Sequence, residues 1–388
     1  MSPSRKAKIL FLVTEDWYFC SHRLPIARAA RDAGMAVAVA TNVTKHGAAI
    51  RDEGFDLIPL PFRRRGLNPF REVGTCIALF RIYRKERPDL VHHVAIKPVL
   101  YGSFAAWVLR VPVTVNALAG LGFVFTSPNW RARLLRPLVR FGLGFLLNRV
   151  TGKAIVQNPD DRKTLEERAG VDPKRMVVIP GSGVDTERFQ ALPDPAGRPV
   201  ALAMVSRMLA DKGVPDLIAA ARALRNQGAS LRVLLFGMPD EENPTSIPAS
   251  QLEAWTAEGI VEWRGFESDV RRIWQEAHFA VLPSYREGLP KSLLEAAACG
   301  RAVIATDVPG CRDVVRPEET GLLVPPGNAG ALAKAILRLS EDENLRVGMG
   351  KQGRAFVAQN FSERLVVEQT MALYRDLLGR EGRAERPL

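Results

Sequence analysis

Cysteine is scarce in this chain of 388 residues. Cys20, Cys76, Cys299 and Cys311 are its only four, and none forms a CxxC pair. That number and spacing exclude a disulfide framework and a zinc site built on cysteine pairs. Dispersed thiols fit a reducing, cytoplasmic compartment. No internal repeat or low-complexity tract occurs. The run Lys8–Thr14 is apolar, but no small-residue cleavage site follows, so a secretory leader is not expected. One long stretch, Val111–Trp130, carries no charge. Pro112, Asn116, Gly120, Gly122, Ser127 and Pro128 interrupt it, so no membrane-crossing helix is expected there. There is no Asp-x-Asp motif, and a bound divalent metal or other cofactor is not expected.

What the chain does have is uneven charge. Its net charge is +12, yet residues 1–153 hold 24 Lys/Arg against 9 Asp/Glu. The remaining residues hold 30 against 33, so all the excess positive charge lies in the first two-fifths. Such asymmetry points to a polyanion met by one half: a membrane face, a diphosphate or a nucleic acid. No nucleic-acid-reading motif accompanies the charge, so nucleic acid is set aside.

Apolar, β-rich runs alternate with helical stretches. Ile9–Val13, Ala36–Ala40, Leu90–His92 and Val113–Val115 open the pattern. Val200–Ser206, Leu231–Phe236, Phe279–Pro283 and Ala302–Thr306 repeat it. Strand–helix alternation predicts α/β architecture with parallel sheets. The run Gln190–Pro199, rich in Pro and Gly, marks a junction. Two doubly wound, Rossmann-like domains facing a central cleft are therefore expected. They would be 1–190, binding the acceptor, and 191–365, binding the donor, with a C-terminal helix over 366–388 returning to the first.

The segment Leu282–Arg301 carries the densest chemistry. Glu287 sits in a turn with Gly288, Leu289 and Pro290, and a helix then runs through Glu295. A helix start offers free N–H groups to a phosphate, and a glycine lets backbone approach it. Upstream, Val205–Gly213 follows a strand and opens a helix, with Arg207 and Lys212 placed to meet one anion. Two cations can neutralise a diphosphate leaving group in place of a metal. The plainer alternative is solvated surface charge. In the first half, His92 and His93 are expected near a strand end, where alternation lets one of them, His93 by preference, line a cleft. Lys97 at a helix start sits against the dipole, and a nearby anion would explain it. Asn116 and Gly120–Gly122 form a second rim.

The E-x7-E element Glu287–Glu295, with Arg207, Lys212 and Pro180–Phe189, resembles the retaining family 4 glycosyltransferases of GT-B fold. The resemblance spans essentially the whole chain. It implies a UDP-sugar co-substrate bound by the C-terminal domain. Arg207 and Lys212 would hold the diphosphate, Glu287 the transferred sugar, and Glu295 the ribose. Gly288, Leu289 and Pro290 would offer backbone to phosphate, Gly265 and Phe266 would flank the base, and Gly183 lies in the Pro180–Phe189 motif. The segments Phe19–Pro25 and His92–Pro98 resemble a branch that adds N-acetylgalactosamine or a related sugar to undecaprenyl-diphosphate-linked saccharides. That implies acceptor contacts from Ser21, His22, Arg23, Lys97, Asn116 and Gly122. Many members carry His-x-His where this chain has His92-His93-Val94. Other readings stay open: a soluble transferase acting on a small metabolite or glucan, a sugar-nucleotide epimerase, or a non-catalytic lectin-like protein.

A lipid-linked acceptor implies an anionic membrane as partner. The stretch Trp130–Arg149 mixes Arg131, Arg133, Arg136 and Arg140 with leucine and phenylalanine, as in basic interfacial helices. Peripheral attachment to the inner face of the cell membrane is expected.

Overall fold

The computed structural model of the chain describes residues 6–62, 69–121, 130–241 and 243–384. They fall into two compact units, Met1–Ser182 with Val366–Leu388, and Gly183–Leu365. The boundary lies at Ser182, ahead of the Gln190–Pro199 run at which the sequence places the junction.

The first unit is built from β1 (Lys8–Glu15), α1 (Asp16–His22), α2 (Leu24–Asp32), β2 (Ala36–Asn42), α3 (Gly47–Asp52), β3 (Asp56–Pro59) and α4 (Pro69–Glu86). It continues through β4 (Leu90–Val94), α5 (Ile96–Leu109), β5 (Val113–Leu118), α6 (Trp130–Arg149), β6 (Gly152–Val156), α7 (Pro159–Ala169) and β7 (Met176–Val178). The strands form one parallel sheet in the order β3-β2-β1-β4-β5-β6-β7. Helices cover both faces, which is why β1 is apolar at five successive positions, Ile9–Val13. Ile9, Phe11 and Val13 enter one core, and Leu10 and Leu12 enter the other.

The second unit runs β8 (Val200–Val205), α8 (Val214–Asn226), β9 (Leu231–Phe236), α9 (Ala249–Ala257), β10 (Glu262–Gly265), α10 (Val270–Glu276) and β11 (Phe279–Leu282). Then come α11 (Lys291–Ala298), β12 (Ala302–Thr306), α12 (Cys311–Val314), β13 (Gly321–Val324), α13 (Ala329–Glu341) and α14 (Glu343–Asn360). Its parallel sheet has the order β10-β9-β8-β11-β12-β13. Helix starts are capped locally: Asn328 accepts from the Ala331 N–H and Asp342 from the Leu345 N–H. The last helix, α15 (Glu363–Ala384), belongs to the first unit from Val366 onward. There Val366, Met371, Tyr374 and Leu377 join the core on the Phe11 side of the sheet. Both units are thus doubly wound, Rossmann-like sheets. Among the described residues, no helix is long and apolar enough to cross a membrane.

Candidate active site

In the second unit, β8 is flanked by β9 on one side and β11 on the other, so the strand order reverses between β8 and β11. Open α/β sheets bind ligands at the carboxyl ends of the strands at such a reversal. The loops that leave β8, β11 and β12 meet there. A Cβ on Gly213 would lie 2.0 Å from the Pro283 carbonyl oxygen, so only glycine allows the first two loops to touch. Gly310 does the same for the third, since a Cβ there would fall 2.7 Å from the Gly288 carbonyl. Backbone bonds stitch the loops together: the Tyr285 N–H donates to Asp211 O at 3.0 Å, and the Glu287 N–H to Pro309 O at 3.3 Å.

Glu287 sits inside this junction. Its Oε1 accepts from Lys212 Nζ at 2.5 Å and from Ser284 Oγ at 2.6 Å. The Ser284 carbonyl in turn accepts from the Thr306 hydroxyl, which anchors the carboxylate's support to β12. Arg207, from the same loop as Lys212, pairs with Asp240 beyond the end of β9. The structure therefore joins Lys212 and Glu287 directly, while a separate carboxylate holds Arg207. Each cation is oriented and locally neutralised. An incoming diphosphate can exchange for those carboxylates, which is what a site for a dianionic leaving group requires. Asp240 is absent from the sequence-derived set. Its position just past β9, at the carboxyl edge, was the signal available for it.

Glu295 lies one turn into α11 and is 8% exposed. Burial pushes its carboxyl up to about 7, against the pull of Lys291, whose Nζ is 3.9 Å away, and of Arg188. Gly288, Leu289 and Pro290 form the entry to α11, with Pro290 at the cap. Gly265 ends β10, and its carbonyl accepts from the Gly237 N–H at 2.7 Å. The following Phe266 is 76% exposed and presents an open ring face. Gly183 is accounted for differently. A Cβ there would strike the Glu363 backbone nitrogen at 2.7 Å, so its glycine serves the packing of Ser362–Glu363.

The first unit corrects several expectations. β4 continues through Val94, past the point at which the sequence ends it, so His92 and His93 sit mid-strand and are fully buried. They point to opposite faces. His92 stacks on Phe11 and bonds through Nδ1 to the Tyr374 hydroxyl. His93 Nδ1 donates to Asn116 Oδ1 at 2.7 Å, so its Nε2 accepts from the Tyr83 hydroxyl at 2.8 Å. Burial keeps both rings neutral, His92 well below its usual range and His93 down to about 4. Neither lines an open site. Asn116 is equally buried and also accepts from Ser103 at 2.8 Å, so it is a core residue and not a rim. Lys97 pairs with Glu72 at 2.9 Å, and this carboxylate is the anion its position called for.

Around α1, Tyr18 stacks on His22 with ring centres 4.1 Å apart, and Ser21 Oγ lies 2.6 Å from His22 Nδ1. Arg23 is 3% exposed, donates to the carbonyls of His22 and Gly181, and leaves Nε unpartnered. On α6, Arg133 is exposed and Arg136 and Arg140 are half-buried. Gly122 and the Arg131 side chain lie outside the described residues.

A model of the glycosyl transferases group 1 matches residues 176–356, and a glycosyl transferase 4-like model matches residues 8–150. The putative glycosyltransferase EpsD of Bacillus subtilis is 30% identical over 383 residues, covering 95% of this chain and 96% of that protein. The chain is a family 4-type glycosyltransferase. The transferase is also 27% identical to a Campylobacter jejuni enzyme, the N,N'-diacetylbacillosaminyl-diphospho-undecaprenol alpha-1,3-N-acetylgalactosaminyltransferase. That match covers 91% of this chain and 94% of the relative. Among solved structures, Anabaena HepE in complex with UDP-glucose superposes with a TM-score of 0.77 at 19% identity, over 95% of this chain and 99% of that one. The transferase thus has the GT-B fold.

Proposed function

We propose that the transferase moves a hexose or N-acetylhexosamine, either N-acetylgalactosamine or N-acetylglucosamine, from a UDP-sugar to a polyprenyl-diphosphate-linked saccharide. The product would enter surface polysaccharide, O-antigen or glycoprotein glycan assembly. The observation that carries this reading is the Lys212–Glu287 pair at the strand-order reversal, with Arg207 on the same loop. The Campylobacter relative, by its name, transfers N-acetylgalactosamine to a diphospho-undecaprenol saccharide, which supports the acceptor class.

In the proposed reaction, the bond from the anomeric carbon to the diphosphate oxygen breaks. The acceptor hydroxyl oxygen bonds to that carbon on the same face, and its proton passes to the departing phosphate. Configuration is retained and no enzymic base is required. Charge grows on the leaving oxygen as the sugar approaches an oxocarbenium ion. Arg207 and Lys212 stabilise that charge, in place of a bound metal. Glu287 holds the transferred sugar, Glu295 the ribose, and Phe266 covers the base. On the acceptor side, Ser21 and His22 would contact sugar hydroxyls. Arg23, a nearly buried cation with no carboxylate partner among the described residues, supports contact with an anionic acceptor group. The lipid end of such an acceptor lies in the inner face of the cell membrane, which the transferase would approach from the cytoplasm.

A panel of UDP-sugars assayed with polyprenyl-diphosphate saccharides, read by mass spectrometry, tests the reading. Turnover of one donor with a lipid-linked acceptor, and an α product by NMR, are expected. Turnover only with soluble metabolites, or donor isomerisation with no acceptor, would contradict it.

A further inference from the structure

The arginines of α6 are not the most unusual feature of that helix. Leu134, Leu138 and Phe141 point outward, Phe141 with 71% of its surface exposed, while Leu143, Leu146 and Leu147 face the core. Neighbouring helices do the same. On α4, Phe70 is 87% exposed, and Val73 and Ile77 follow at helical spacing. On α5, Phe104, Trp107 and Val108 are open. Water is a poor solvent for such a surface, and contiguous apolar patches on soluble proteins mark interaction sites.

Ring contacts make the patch continuous. Phe80 of α4 meets Phe104 of α5 at 5.8 Å, edge to face. Trp107, one turn on, meets Phe145 of α6 at 5.4 Å, and Phe145 stacks with Phe141 at 6.2 Å. An aromatic seam therefore runs across three adjacent helices of the first unit.

Its charge has one sign. Exposed cations border the seam: Arg81, Arg84 and Lys85 on α4, Arg110 at the end of α5, and Arg133 and Arg149 on α6, the last over the Phe145 ring at 5.2 Å. α5 and α6 contain no acidic residue. The two on α4 are engaged elsewhere, Glu72 with Lys97 and Glu86 with Lys8. Protruding phenylalanine, tryptophan and leucine interleaved with cations match a lipid–water interface: rings enter the acyl boundary while cations stay among headgroups.

We propose that the α4–α5–α6 face is the membrane-docking surface of the transferase and that its occupant is an anionic lipid bilayer. This rests on the reading of a membrane-borne acceptor. It assigns the anchoring chiefly to Phe70, Ile77, Leu138 and Phe141, with the arginines as headgroup contacts.

Flotation of the full chain with phosphatidylcholine vesicles, with and without phosphatidylglycerol, tests this. Binding is expected only with phosphatidylglycerol, and a variant combining Phe70→Ser, Ile77→Ser, Leu138→Ser and Phe141→Ser is expected to lose at least about 10-fold in partition. Vesicles with brominated acyl chains are expected to quench wild-type fluorescence more than that of Trp107→Phe, a readout that locates the face without the quadruple variant. Hydrolysis of the sugar nucleotide in lipid-free buffer reports separately on the enzymatic reading and is expected to be unchanged. Equal partition of wild type and quadruple variant, with equal quenching in Trp107→Phe, would overturn the docking face while leaving the enzymatic reading intact. Absent hydrolysis with intact, variant-sensitive flotation would do the reverse. Concentration-dependent dimerisation abolished by the quadruple variant, without vesicle binding, would reassign the face to a second copy of the chain.

Discussion

The ammonium of Lys212 lies 2.5 Å from a carboxylate oxygen of Glu287, although the two residues are 75 positions apart in sequence. One comes from the loop after β8 and the other from the loop after β11. Their meeting marks the point at which the proposed donor site is centred. The pair is largely withdrawn from water, with side chains 19% and 12% exposed, so each charge relies on the other for neutralisation.

Because the two side chains are in contact, their substitutions are expected to couple. Glu287→Gln and Lys212→Ala are each expected to lower kcat by about 100-fold, the range for removal of one stabilising group. The double variant is expected to lose far less than the product of the two. Steady-state kinetics on the four proteins, with circular dichroism to verify folding, measures this. Strict additivity would separate the two roles.

Glu295 ties the proposed ribose contact to stability. Its carboxyl titrates at about 7 in the folded chain against an ordinary 4.5. The folded state therefore holds the proton more tightly, and stability falls as pH rises from about 4.5 to 7. The full cost above pH 7 is on the order of 3 kcal/mol at 1.36 kcal/mol per unit. Glu295→Gln removes that dependence, so urea unfolding is expected to show the variant gaining on wild type between pH 5 and pH 8. The same substitution is expected to raise KM for the donor.

His93 shows the opposite sign. Buried as an acceptor of the Tyr83 hydroxyl, it titrates at about 4, below its ordinary 6.5. Its contribution is complete above pH 6.5 and is lost as pH falls toward 4. His93→Ala is expected to cost about 3 kcal/mol of stability by leaving a cavity and a buried Tyr83 hydroxyl without its acceptor. Activity per folded molecule is expected to stay at the wild-type level. A large fall in kcat at unchanged stability would return the histidine to the reaction.

The strands were readable because parallel strands covered on both faces are apolar at successive positions, as in Ile9–Val13. The turn Glu287–Pro290 and the helix after it were legible because Gly288 and Pro290 end the strand pattern and Pro290 stands at the helix entry. The histidines were misread for a physical reason. Strand β4 runs two residues beyond His92, and the hydroxyl that meets the His92 ring comes from afar, Tyr374 being 282 positions away. Nothing local signals such a partner. The interfacial character of α6 was legible in its mixture of arginine with leucine and phenylalanine, but which of its leucines meet the core depends on its neighbours, Leu143 and Leu147 being the ones that do.

The proposed neutralisation of the leaving group by two side chains has a direct chemical test. Dialysis against EDTA is expected to leave transfer unchanged, whereas Arg207→Ala is expected to reduce kcat by about 100-fold. Asp240→Asn frees the same guanidinium without removing it and is expected to have a small effect. Loss of activity in EDTA, restored by magnesium or manganese, would assign the charge to a metal.

Calorimetric titration of UDP and of uridine into wild type, Arg207→Ala and Lys212→Ala separates phosphate contacts from base and ribose contacts. Each variant is expected to bind UDP at least about 10-fold more weakly, a loss of roughly 1.4 kcal/mol, and to bind uridine as wild type does. Undiminished UDP affinity in both variants would contradict the assignment of the donor diphosphate to this loop.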